Sequence, residues 1–249
     1  MPHLPSEHFH GKTVPEHLFD ARKKGMQASA EIHGTEISGQ KAAFADALRD
    51  SALVMVLIFE VSKHLPYPQS ATLLFLVLGG WVLWKTSRSA LLGWARLERL
   101  HRLIEEERWE IQHHRPQERE ELMEIYQAKG FEGELLTQVL DVLMSDDNRL
   151  LEVMLTEELG LSLETYEHPL KQASGAFLGS LTAMISGGIL YYLFPSFGVY
   201  IAALPLFLIA GAWTAKMEKI RLLPSFLWNF AVFTVSLGFV YFMQELLKQ

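Results

Sequence analysis

Glu107, Glu110, Glu118 and Glu121 fall at intervals of three, eight and three residues, and Met154 and Glu158 follow, one helical turn apart. Residues three apart share a helix face, and Pro116 forces a bend between the two glutamate pairs. Two such pairs can therefore converge. Converged carboxylates repel by on the order of several kcal/mol unless a cation sits among them. Oxygen donors suit Mg²⁺, Ca²⁺ or Mn²⁺, and an added Met154 thioether would shift the preference toward softer Fe²⁺. The same spacing also fits a solvated helix face laced with pairs such as Glu98–Arg102, and methionine on a helix more often packs than ligates. Spacing alone leaves both readings open.

These residues need helices to position them, and breakers divide the polar stretch from Glu105 to Gly160 into four. A long helix runs to about His114 and stops at Pro116. Gln117 to Lys129 is expected to form a second, closed by Gly130 as a left-handed cap. Glu132 to Met144 carries Leu135, Leu136, Val139, Leu140 and Leu143 as a stripe at helical spacing. Ser145-Asp146-Asp147-Asn148 offers a break and a cap before Arg149 to Leu159, which Gly160 closes. Short amphipathic helices bury such stripes against each other or against a second copy of the chain, so a compact helical subdomain without strands is expected.

Hydrophobic segments flank this insertion. Gly175 to Phe194 runs twenty residues without a charge, enough to cross roughly 30 Å of hydrocarbon. Val199 to Ala215 returns after the Pro195–Gly198 turn, with a tolerated kink at Pro205, and Leu223 to Met243 forms a final span. Upstream, Gln69 to Trp84 is apolar and continues helically through Lys85 and Arg88, projecting about 40 Å into water. Ala47 to Leu65 has an apolar centre but carries Asp50 and Glu60. The chain is thus expected to be all-α and polytopic, with five transmembrane helices and a helical cytoplasmic insertion, the candidate metal-binding domain, between spans two and three. The divisions are an N-terminal tail at 1–46, spans one and two at 47–95, the insertion at 96–168 and spans three to five at 169–249. Lys and Arg cluster before span one, after span two and after span four. That pattern puts the N-terminus and insertion in the cytoplasm and the C-terminus outside; a cell (inner) membrane is expected as the host.

Composition excludes other classes. The 249 residues carry a net charge of −7 with no concentrated basic patch, so no nucleic-acid partner is expected. There is no cysteine, which removes disulfides and thiolate chemistry. No nucleophile–base arrangement or phosphate loop is present, so neither an enzyme nor an organic cofactor is expected. Met1-Pro2-His3-Leu4-Pro5 lacks the basic-then-apolar pattern of a cleavable signal peptide.

On the first span's helical wheel Asp50 lies about 40° to one side of Asp46 and Glu60 about 40° to the other, so the three share one stripe. Ionisable groups within a span normally face protein or water and are candidates for an ion path; the plainer reading pairs Glu60 with Lys63 or His64 near the outer interface. In the tail, His8, His10, His17 and His33 accompany Glu7, Glu16, Glu31 and Glu36. They could capture a borderline metal, but their loose spacing fits a solvated tail better. Pro15 to Gly25 is expected to form a short amphipathic helix at the membrane surface, with Leu18 and Phe19 inward and Arg22, Lys23 and Lys24 near headgroups.

The order of parts resembles the vacuolar iron transporter family. The matching features are E-x-x-E-(x7)-E-x-x-E from Glu107 to Glu121, EREELMEIYQAKGF from Glu118, LLEVMLTEELGL from Leu150 and HPLKQASGAFLGSLTAMISGGILYYLFP from His168. By that resemblance the chain would be a homodimer that exports Fe²⁺ or Mn²⁺ from the cytoplasm, with Glu107, Glu110, Glu118, Glu121, Met154 and Glu158 binding the metal. Three departures stand out. Leu155 occupies a position where the family often has a second methionine. The first span lacks the family's Asp-Gly pair, for which Glu60 could substitute. Leu73–Trp84 has no methionine or acid. The expected function is proton-coupled divalent metal transport. The alternative is a membrane-anchored metal-binding or regulatory protein that has lost transport.

Overall fold

The computed structural model describes residues 12–29, 39–161 and 168–247. Nine α-helices and no strand occur among them: α1 (Val14–Ser29), α2 (Gln40–Ser62), α3 (Tyr67–His113), α4 (Arg115–Ala128), α5 (Gly133–Leu143), α6 (Asp147–Glu157), α7 (Pro169–Leu193), α8 (Gly198–Met217) and α9 (Leu222–Leu247). The chain divides into two compact units: residues 1–30 with 95–165, and residues 31–94 with 166–249. Helix α3 contributes to both.

The expected breakers act where they were placed. Pro116 sits in the first turn of α4, where its missing N–H costs nothing. Gly130 and Gly160 adopt left-handed φ values of 91° and 66° at the ends of α4 and α6. Asp146 caps α6, its carboxylate accepting from the Arg149 N–H at 2.9 Å.

Among the described residues, four helices are long and apolar enough to cross a membrane: α3, α7, α8 and α9. Helix α2 is not among them, because Lys41, Asp46, Arg49, Asp50 and Glu60 spread charge along its length. Its burial explains how it carries them. Ala47, Ala52, Met55 and Val56 are wholly inaccessible, and α2 packs against α7, α8 and α9. Small residues on α7 permit that closeness. A Cβ on Gly175 would stand 2.1 Å from the Gln40 carbonyl oxygen, and one on Gly179 would stand 2.3 Å from that of Phe44. Backbone approach of this kind is how spans associate where lipid removes the hydrophobic drive. Phe59, Leu74, Leu78, Tyr191, Ala203 and Phe207 complete the core around α2. Helix α9, by contrast, buries only Phe233, and its apolar surface is what lipid would cover.

In the other unit, Leu100, Leu103, Ile111, Leu122, Ile125, Leu136, Leu140, Leu150 and Leu155 are buried. The stripe expected on α5 is covered only in part, since Leu136 and Leu140 are buried while Leu135 is 57% exposed. Helix α1 packs on α4 in this same unit. Leu18 and Ala21 are buried, as an inward face requires, whereas Phe19 is 70% exposed. The face that docks is Leu18–Ala21–Gly25, at three- and four-residue spacing.

A buried carboxylate centre

Three helices deliver the acids. The last turns of α3 carry Glu107 and Glu110, the first turns of α4 carry Glu118 and Glu121, and Glu158 stands just past the end of α6. Each spacing was legible, and the bend at His114–Arg115 turns the second pair back toward the first. Glu107, Glu118, Glu121 and Glu158 are all at most 4% exposed, while Glu110 is half-buried. One carboxylate oxygen from each of Glu107, Glu118 and Glu158 lies within 4.8 Å of the others. Met154 is fully buried one turn before Glu158.

Such crowding is hostile to negative charge. Burial first, then the charges of Glu158, Glu110 and Glu121, hold the Glu107 carboxyl well above the usual carboxylate range. Burial, followed by Glu107, Glu121 and Glu110, pushes Glu118 up to about 10. Glu158 is raised well above its ordinary value by burial, then by Glu121, Glu118 and Glu110 and by a hydrogen bond with Glu121. Without a cation these acids hold protons. Oxygen donors from separate elements at this spacing suit a hard or borderline divalent ion, which displaces those protons. Oε1 of Glu107 is buried without a hydrogen-bond partner, the condition a ligand would relieve. The solvated-face reading fails for these four glutamates.

Sequence reasoning passed over one neighbour. His17 of α1, read as belonging to a solvated tail, is only 14% exposed at its side chain, and its Nε2 lies 3.6 Å from Glu121 and 3.8 Å from Glu158. Nothing in its spacing could have joined it to glutamates so distant in the sequence. His8, His10 and His33 lie outside the described residues.

The candidate path residues sit in the other unit, on α2. Asp46 and Asp50 share the Lys85 ammonium at 2.8 and 2.5 Å, and Arg49 also reaches Asp46 at 2.8 Å. Lys85 is 5% exposed, so its charge is held by the two aspartates rather than by water. Glu60, ten residues further along and about 15 Å away by helical rise, is 2% exposed. It pairs with Lys63 and accepts from the Tyr200 hydroxyl. The three acids thus form two separate polar clusters, not a continuous row. Glu60, Lys63, Tyr200, Leu204, Phe230 and Tyr241 are among the residues that line a cavity of about 510 Å³.

Among known proteins, the family model described as the VIT family matches residues 94–243. No curated protein matches the chain.

Proposed function

Because the chain belongs to the VIT family, the vacuolar iron transporters, whose members move metal ions across membranes and are not enzymes, we propose that it carries Fe²⁺ or Mn²⁺ out of the cytoplasm in exchange for protons. The observation that carries this reading is the buried convergence of Glu107, Glu118 and Glu158, which lies wholly inside the family-matched segment. Glu110, Glu121 and Met154 complete the proposed ligand set. Oxygen donors with one thioether favour Mn²⁺ and Fe²⁺ over Mg²⁺ and Ca²⁺.

Helix α2 is the fifth span in this reading. At 23 residues it is about 35 Å long, and its burial among α7, α8 and α9 shields its acids from lipid. The basic clusters before α2, on α3 past Trp84 and after α8 favour a cytoplasmic insertion and N-terminus, with the C-terminus outside, in a cell membrane. Exposed Leu135 and Val142 on α5 are the kind of apolar surface a second copy would cover, which favours a homodimer. Glu60 borders a cavity and has a buried carboxylate, as a proton- or ion-handling group needs; Asp46, Asp50 and their Lys85 partner form a second such cluster, where an arriving cation would compete with the ammonium.

Flux into proteoliposomes tests the proposal. Purified chain should drive Fe²⁺ or Mn²⁺ uptake with counter-movement of protons, and Glu60→Gln should stop it. Full activity in Glu60→Gln removes that residue from the path. Metal binding without flux in the unmodified chain refutes transport and leaves a membrane-anchored metal-binding protein.

A further inference from the structure

Helix α1 precedes the family-matched segment, which begins at residue 94, yet it is seated on the carboxylate centre. Arg22 donates to the Glu157 carbonyl at 3.3 Å. A Cβ on Gly25 would stand 2.0 Å from the Leu159 carbonyl oxygen, so only glycine lets α1 pass this close to the strand of chain that carries Glu158. Leu18 and Ala21 bury the remaining contact. This docking aims His17 into the pocket.

His17 Nε2 is 3.6 Å from Glu121 Oε1 and 3.8 Å from Glu158 Oε1. Those two separations are too long for hydrogen bonds. They approach the spacing of neighbouring donors on one ion, because ligands at about 2.0–2.2 Å from a divalent metal stand roughly 3–3.6 Å apart at octahedral or tetrahedral angles. One donor atom from each of the three residues lies within 4.8 Å of the others. Glu158 also belongs to the Glu107–Glu118 group, and in that adjoining group Glu107 Oε1 is buried with no hydrogen-bond partner.

We propose that α1 completes a second divalent-cation site, His17–Glu121–Glu158, of mixed imidazole and carboxylate character. It adjoins the carboxylate site and shares Glu158 with it, and in that sharing it rests on the ion-binding reading of Glu107, Glu118 and Glu158. An imidazole nitrogen selects Fe²⁺, Zn²⁺ or Mn²⁺ against Mg²⁺ and Ca²⁺. The N-terminal helix thereby adds discrimination that carboxylates alone lack.

The test uses the full chain in detergent, loaded with Mn²⁺ alone. Equilibrium dialysis counts the ions, and electron spin-echo modulation reports ¹⁴N coupled to Mn²⁺. The unmodified chain should show nitrogen coupling. His17→Gln should lose it together with one Mn²⁺ per chain. Gly25→Leu, which alters no ligand but pushes α1 off Leu159, should produce the same loss. Unchanged coupling and stoichiometry in both variants overturn the proposal. Mn²⁺ bound by the unmodified chain without nitrogen coupling also overturns it while leaving the carboxylate site intact; no bound Mn²⁺ at all overturns both.

Discussion

Replacing Glu118 by Gln exchanges an ionisable oxygen for a neutral amide of nearly the same shape, at a residue that is 0% exposed. In the unfolded chain the carboxyl titrates near 4.5, and in the fold it is pushed up to about 10. Between those values the folded state holds a proton that the unfolded state has released. Its contribution to stability is therefore complete below pH 4.5 and is lost as pH rises toward the folded value, at up to about 1.4 kcal/mol per pH unit. From there to neutrality the loss amounts to about 3 kcal/mol, an upper bound because Glu107 and Glu158, also raised, share their protons with Glu118. The Glu118→Gln chain carries no such slope. In chelator at pH 7 it should melt higher than the unmodified chain, by several degrees at about 2–4 °C per kcal/mol for a chain of this size. The gap should close as pH falls toward 5. Saturating Mn²⁺ should reverse the order, since an ion at about a thousand times its dissociation constant adds about 4.1 kcal/mol to a chain that binds it. Thermal melts in detergent from pH 5 to 8, with chelator and with Mn²⁺, read all of this. A Glu118→Gln chain that melts lower than the unmodified one in chelator at pH 7, or a gap indifferent to pH, would refute the reasoning.

Glu107→Gln should weaken Mn²⁺ binding by more than about tenfold, since even residues behind the ligands commonly contribute that much; titration calorimetry in buffers of different ionisation enthalpy should also show fewer protons released per ion than in the unmodified chain. Lys85→Met leaves Asp46 and Asp50 facing each other without their ammonium and should lower stability by about 2 kcal/mol, less than a fully buried pair because Asp50 is partly exposed at its side chain; a thermal midpoint equal to the unmodified one would contradict this. Gly179→Leu should abolish a folded, monodisperse product in detergent, because its Cβ would stand 2.3 Å from the Phe44 carbonyl oxygen, whereas Gly80→Leu, with nothing within 4 Å, should be tolerated.

The helix boundaries of the insertion were legible because proline, glycine and aspartate act locally: Pro116, Gly130, Asp146 and Gly160 do in the fold what their chemistry requires. The glutamate pairs were legible because a three-residue interval fixes a face, and the bend at Pro116 fixes where the faces turn. Three other features depend on contacts distant in sequence. The hydropathy of α2 says little about a helix enclosed by other helices, since its acids meet Lys85, Lys63 and Tyr200 instead of lipid. Lys85 reads as one more cytoplasmic cation in a charge tally, yet it is buried between two aspartates of another helix. His17 has no periodic relation to Glu121 or Glu158, and only the seating of Gly25 against Leu159 brings it to them.

Anomalous diffraction from crystals of the full chain soaked in Mn²⁺ tests the central claim most directly. The expected result is a Mn²⁺ peak bonded at about 2.1–2.2 Å to oxygens of Glu107, Glu118 and Glu158, absent from the Glu107→Gln, Glu118→Gln, Glu158→Gln triple variant. Mn²⁺ peaks confined to other residues, with none among these three carboxylates at saturating metal, would contradict it.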